Sequence, residues 1–211
     1  MPRFSVGILF TVSAFLVAAA APVAACAGQV DDAVLAELNQ ARQHPAQYAR
    51  SLQIQRVTAR QEAGDDADPN ALAEAIEFLE RQAPLEPLSR DPRLDAAAAD
   101  HVAAQGASGQ VGHGEFARRL RSHVMGASLA GEDIYYGEYG EQSAREVVRR
   151  LIVDKGVPDR GHRANIFGAG FQAGGVSCGP HRVYGSMCVI DFAGGSLLGR
   201  ASNPQSLARS W

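Results

Sequence analysis

The chain has 211 residues, 46% hydrophobic and 20% charged, with a formal net charge of -3. This is the composition of an ordinary soluble globular protein, and it excludes collagen-like and wholly disordered chains. So even a charge balance gives no electrostatic footprint for nucleic acid, and the basic pair Arg118–Arg119 reads as a solvated helix face.

The N-terminus reads as a targeting segment. Arg3 supplies a positive n-region, Phe4 to Ala21 is apolar, and small residues follow up to Ala27. Residues 1–27 therefore match a secretory signal peptide. The competing reading is a membrane-spanning helix, which needs about 20 apolar residues; the run lacks a positively charged stop on its far side. Two cleavage modes fit. Val23-Ala24-Ala25-Cys26 resembles a bacterial lipobox, in which Cys26 carries lipid, whereas Ala25-Cys26-Ala27 fits an ordinary site. The protein is expected to be secreted or periplasmic, or held at a membrane as a lipoprotein through Cys26. One lipid chain alone would bind only marginally.

From Asp31 to Arg42 the residues Val34, Leu35, Leu38 and Ala41 repeat at helical spacing. His44 precedes Pro45 and should break the helix, with Pro45 opening a second, short one. Residues 53–68 are polar and predict a loop. Asp68-Pro69 then reads as a cap and a first-turn proline for a helix buried on Leu72, Ala75, Ile76 and Leu79. Pro84 and Pro87 predict an extended connection. Asp91-Pro92 opens the next helix, with Leu94, Ala97, Ala98, His101 and Val102 on one face; His101 reads as a hydrogen-bonded core histidine.

Gly106 to Gly114 predicts a glycine-rich loop carrying His113, and residues 115–124 a short helix. Gly131 to Tyr136 alternates as a strand. Ser143-Ala144-Arg145-Glu146 is a capping box for a helix with Val147, Val148, Leu151 and Ile152 inward, ended by Gly156 and Pro158. A turn and short helix follow over 160–167. Residues 172–178 and 186–192 predict antiparallel strands joined by a hairpin, with His181 on its surface. Such a hairpin sets Cys178 opposite Cys188. They form a disulfide, contributing about 2–3 kcal/mol, or remain as two buried thiols. Residues 196–211 lack periodicity and read as a tail. Helices first and strands last suggest an antiparallel sheet with helices packed against it. No nucleotide-binding glycine motif is present.

Four side chains stand out by their settings. His113 lies between Gly112 and Gly114, Glu132 follows Gly131 near a strand start, Asp154 follows an apolar helix, and His162 sits in a tight turn. Their spacing matches no local metal motif such as H-E-x-x-H.

Several stretches fall in the order seen in the CAP (SCP, pathogenesis-related-1-like) family. They are Leu38-Asn39-Gln40-Ala41-Arg42, Pro87-Leu88 to His101, the isolated Gly112-His113-Gly114, Gly131-Glu132-Asp133-Ile134, residues 159–166 and Cys188-Val189-Ile190-Asp191-Phe192. The chain resembles the bacterial secreted members over residues 32–195, and the G-E-[ND]-I and G-H-R-x-N-I blocks are the specific parts. The resemblance implies an α+β fold, a three-layer α-β-α sandwich with a central antiparallel sheet. It also implies a cleft in which His113 and His162 meet the acids Glu132 and Asp154. Many members have Glu three residues after Trp where this chain has Leu151 and Asp154, and Asp133 replaces the commoner Asn.

Two neutral imidazoles suit a divalent metal such as zinc, with the carboxylates as ligands or partners of its water. Three functions then follow as expectations. The first is a binding or interaction module holding that metal, with a small apolar ligand or a cell-envelope component as partner. The second is a metal-dependent hydrolase of peptides or envelope material, with Glu132 or Asp154 as base. The third is a purely structural hydrogen-bond network.

Overall fold

In the computed structural model, residues 23–62, 69–124, 127–137 and 143–195 are described. The signal segment up to residue 22, the cap at Asp68 and the tail 196–211 lie outside them. The chain order is α1 (Val23–Gln43), α2 (Pro45–Glu62), α3 (Pro69–Arg81), β1 (Ser89–Arg90), α4 (Pro92–Ser108), α5 (Phe116–His123), β2 (Leu129–Tyr136), α6 (Ser143–Val153), α7 (Gly161–Ile166), β3 (Ala173–His181) and β4 (Gly185–Gly194).

Strand alternation decides which helices lie on which side of the sheet, because successive side chains point to opposite faces. The strand order is β1-β3-β4-β2. Val176, Cys178, Cys188, Ile190 and Phe192 face α1, α2, α3 and α6 in the main core. Ala173, Met187, Val189, Ala193 and Ile134 face the other way, onto Leu94, Ala97 and Ala98 of α4 and Leu120 of α5. The result is an α+β sandwich with helices on both faces. At Gly175 the backbone of α4 comes so close that a Cβ would overlap Leu94 and Asp95.

Local signals place most elements. Asp91 accepts from Arg93 N–H at 2.9 Å and caps α4, with Pro92 at its first turn. The pairs β2–β4 and β3–β4 are antiparallel, as expected. Cys178 and Cys188 are direct partners across the hairpin, with Cα atoms 4.1 Å apart, and form a disulfide.

Four expectations are corrected. The sheet is mixed, because β1 adds two residues parallel to β3; so short a strand has no periodicity to read. Residues 53–62 continue α2. They are polar but contain neither glycine nor proline, and most are good helix formers. Helix α4 continues through Gly106 to Ser108 and ends at Gly109, whose φ is 73°. Finally, His181 is only 2% exposed, and its Nε2 lies 2.9 Å from the Gln110 carbonyl. The β3–β4 hairpin folds back over the end of α4, where Arg182 N–H donates to Gly106 O, and that return buries the ring.

Arg42 joins segments far apart in sequence. Its buried guanidinium donates to the carbonyls of Glu86 (3.1 Å), Ile166 (2.6 Å), Gly168 (3.2 Å) and Phe171 (3.3 Å). It thereby ties α1 to the connection before β1 and to the end of α7 and the turn that follows it. It also lines a hollow of about 600 Å³ with Pro84, Leu85, Phe171 and Gln172, away from the histidines. Replacing Arg42 with Leu should strand these carbonyls and lower unfolding free energy by about 3 kcal/mol or more. Urea titration checks this; a loss below about 1 kcal/mol would mean that water satisfies the carbonyls equally well.

Candidate functional site

Strand β2 supplies two consecutive acids, and alternation sends them to opposite faces. Glu132 pairs in register with Asp191, and Asp133 with Ile190. Glu132 is therefore turned toward α4 and α5, and Asp133 toward α7. Both are buried.

On the first side, the Nδ1 of His113 lies 2.8 Å from Glu132 Oε1. A carboxylate only accepts, so Nδ1 carries the hydrogen and Nε2 is left with its lone pair. The His113 side chain is 56% exposed, while that of Glu132 is 1% exposed. The hydrogen bond to Glu132 raises the His113 pKa against the opposing effect of its partial burial. The second Glu132 oxygen is bound by Arg119 Nη2. Arg119 is thus not on a solvated face as expected. Its side chain is 10% exposed and turned inward, whereas Arg118 points to solvent.

On the second side, Asp154 ends α6 in a left-handed conformation, with φ of 56°. Aspartate tolerates that region better than most residues. The turn aims its carboxylate at the start of α7, where Oδ2 accepts from the N–H groups of His162 (3.0 Å) and Arg163 (3.4 Å). These are orphan donors of a helix start, and a carboxylate there is favourable. The other oxygen accepts from His162 Nδ1 at 2.6 Å. The shorter acid reaches its histidine because the bend supplies the approach. Arg163 then turns back, its guanidinium donating to the carbonyls of Ile152 (2.6 Å) and Val153 (3.1 Å) at the end of α6.

Asn165 connects the two sides. Its amide donates to Asp133 Oδ1 at 2.8 Å and approaches Glu132 O at 3.4 Å. The four residues singled out in the sequence form two imidazole–carboxylate pairs, His113 with Glu132 and His162 with Asp154. Among the described residues, no three His, Cys, Asp or Glu side chains converge on one ion position. Neither Nε2 has a hydrogen-bond partner among the described residues. Each oxygen of both carboxylates already accepts from a donor, whereas the two imidazole Nε2 atoms have none of their own among the described residues.

Sequence reading missed Arg119, Asn165 and Asp191. Asp191 is fully buried opposite Glu132, and neither of its carboxyl oxygens has a partner among the described residues. Burial, followed by the Glu132 charge, pushes its pKa up to about 8. Burial likewise pushes Asp133 well above the ordinary carboxylate range.

A carboxyl whose pKa is higher folded than unfolded keeps its proton longer in the native state. Stability then falls as pH rises between the unfolded value of 3.8 and about 8. Asp31, raised to about 6 chiefly by burial, acts in the same direction over a narrower range. Asp191→Asn should leave a shallower decline between about pH 5 and 8. Urea titrations across that range check this, and an unchanged slope would show Asp191 to be already ionised in the folded protein.

The family model described as the cysteine-rich secretory protein family (CAP) matches residues 35–192. No curated protein matches the chain. Two solved structures are similar. One is an extracellular protein containing a SCP domain from Bacillus anthracis, at 22% identity and TM-score 0.42, covering 53% of this chain and 35% of that one. The other is a cysteine-rich secretory protein from Staphylococcus aureus, at 13% identity and TM-score 0.41, covering 63% of this chain and 40% of that one. The chain thus spans well under half the length of either. With a family match over most of its length, the chain belongs to the cysteine-rich secretory protein (CAP) family.

Proposed function

We propose that this is an exported binding domain that holds a divalent transition metal, zinc by preference, between the Nε2 atoms of His113 and His162. The observation that carries the proposal is the commitment of both Nδ1 atoms to buried carboxylates. A carboxylate behind an imidazole selects the tautomer, holds the ring and raises the basicity of the outward nitrogen; it is the usual outer partner of a metal-bound histidine. Glu132 and Asp154 then act as orienting groups, and water or a partner's donor atoms complete the coordination.

Both oxygens of each acid are already engaged, which favours binding over hydrolysis, since neither acid is free to take a proton from water. Export is supported by the signal pattern over residues 1–27 and by the Cys178–Cys188 disulfide, a bond favoured outside the reducing cytosol. No helix among the described residues is long and apolar enough to cross a membrane.

Calorimetry with zinc should show one site per chain, weakened at least tenfold by His113→Ala or His162→Ala. Zinc should also raise the melting temperature, because a ligand specific to the native state stabilises it. Protons compete for the same nitrogens, so affinity should fall with pH. The decline should begin above the ordinary imidazole value of about 6.5, because Glu132 raises His113. An affinity flat from about pH 8 to 5 would rule out histidine ligation. Metal-dependent turnover of peptides, esters or glycans, lost in both alanine variants, would replace the binding reading with the hydrolase.

A further inference from the structure

We infer that Arg119 is a positioning residue that fixes His113 at once through its side chain and through its backbone. The inference extends the metal-binding reading, but its principal readout needs no metal. Arg119 leaves α5 and turns inward. Its Nη2 binds Glu132 Oε2, so that only Oε1 remains to receive His113 Nδ1–H. Its Nη1 approaches the His113 carbonyl at 3.3 Å. One guanidinium therefore holds both ends of the residue, and its planar fork suits two separate acceptors.

The same Nη1 lies 2.9 Å from His101 Nδ1. A guanidinium only donates, so His101 must accept there and carry its hydrogen on Nε2. That hydrogen points to the Gly112 carbonyl at 3.0 Å. Burial lowers the His101 pKa, in keeping with a neutral ring. Gln105 donates to the same carbonyl at 2.6 Å, and Gly112 N–H donates to the Tyr136 hydroxyl at 2.9 Å, which in turn donates to Gln105 Oε1 at 2.7 Å. Gly112, the residue preceding His113, is thus held at both its N–H and its C=O.

The restraint matters because His113 lies between two glycines with positive φ, 96° at Gly112 and 53° at Gly114. Such a segment has little conformational preference of its own. Among the described residues, Arg119 is the cation paired with Glu132. Without it, Glu132 loses the contact that leaves a single oxygen for the imidazole.

The test is the ring tautomer of His113 in metal-free protein, read from long-range proton–nitrogen correlations at about pH 9, where an ordinary imidazole is neutral. The wild type should show hydrogen on Nδ1. Arg119→Met should shift His113 toward the Nε2–H form and weaken zinc binding about tenfold or more. Arg119→Lys guards against a misfolded Met variant. One ammonium cannot span Glu132, the His113 carbonyl and His101 together, so it should give a mixed tautomer and an intermediate affinity. Arg118→Ala, on the exposed neighbour, should change neither.

A lowered melting temperature with an unchanged Nδ1–H tautomer in either Arg119 variant would reduce Arg119 to a stabilising role and overturn the inference. If the wild type binds no zinc, the metal reading fails, while the tautomer comparison still decides the role of Arg119.

Discussion

The site depends on the alternation of side chains along one strand. Glu132 and Asp133 are adjacent in β2, so they enter different layers of the sandwich. Glu132 receives a histidine from the loop between α4 and α5, and Asp133 lies against α7 beside the second histidine. A slip of β2 by one residue would exchange these environments. The eight-residue ladder between β2 and β4, and the cystine joining β4 to β3, therefore fix the geometry of the site as well as the fold.

Buried acids are costly unless each finds its own compensation, and the four around β2 and α7 are treated differently. Glu132 is met by a guanidinium and an imidazole. Asp154 is met by two helix-start N–H groups and an imidazole. Asp133 has one amide donor and a strongly raised pKa. Asp191 has no hydrogen-bond partner among the described residues, and burial raises its pKa to about 8. The two acids whose every oxygen meets a donor are the two that touch histidines. That division leaves each imidazole with one nitrogen committed to a carboxylate and with Nε2 lacking a partner among the described residues.

What the sequence disclosed was local. Asp91-Pro92, the hairpin between the two cysteines, and the apolar spacing of Val147, Val148, Leu151 and Ile152 all act within a few residues, and each stands in the structure as read. The glycine and turn settings of His113, Glu132, Asp154 and His162, together with the family resemblance, single these residues out. Their division into two pairs was not legible, because it follows from sheet register. Arg119 and His181 read as surface residues, since neither a helix face nor a hairpin tip announces that a distant segment will cover it. Residues 53–62 are polar and lack an apolar stripe, so helix propensity alone is the local signal for the end of α2.

On the proposed reading, the two Nε2 atoms address one ion. Anomalous diffraction at the zinc edge, from crystals of the domain soaked with zinc, measures this directly. The paired arrangement predicts a single zinc about 2.0–2.1 Å from both His113 Nε2 and His162 Nε2, with Glu132 and Asp154 still on the Nδ1 atoms. Separate peaks at the two histidines, or zinc bound elsewhere with both rings unchanged, would contradict it.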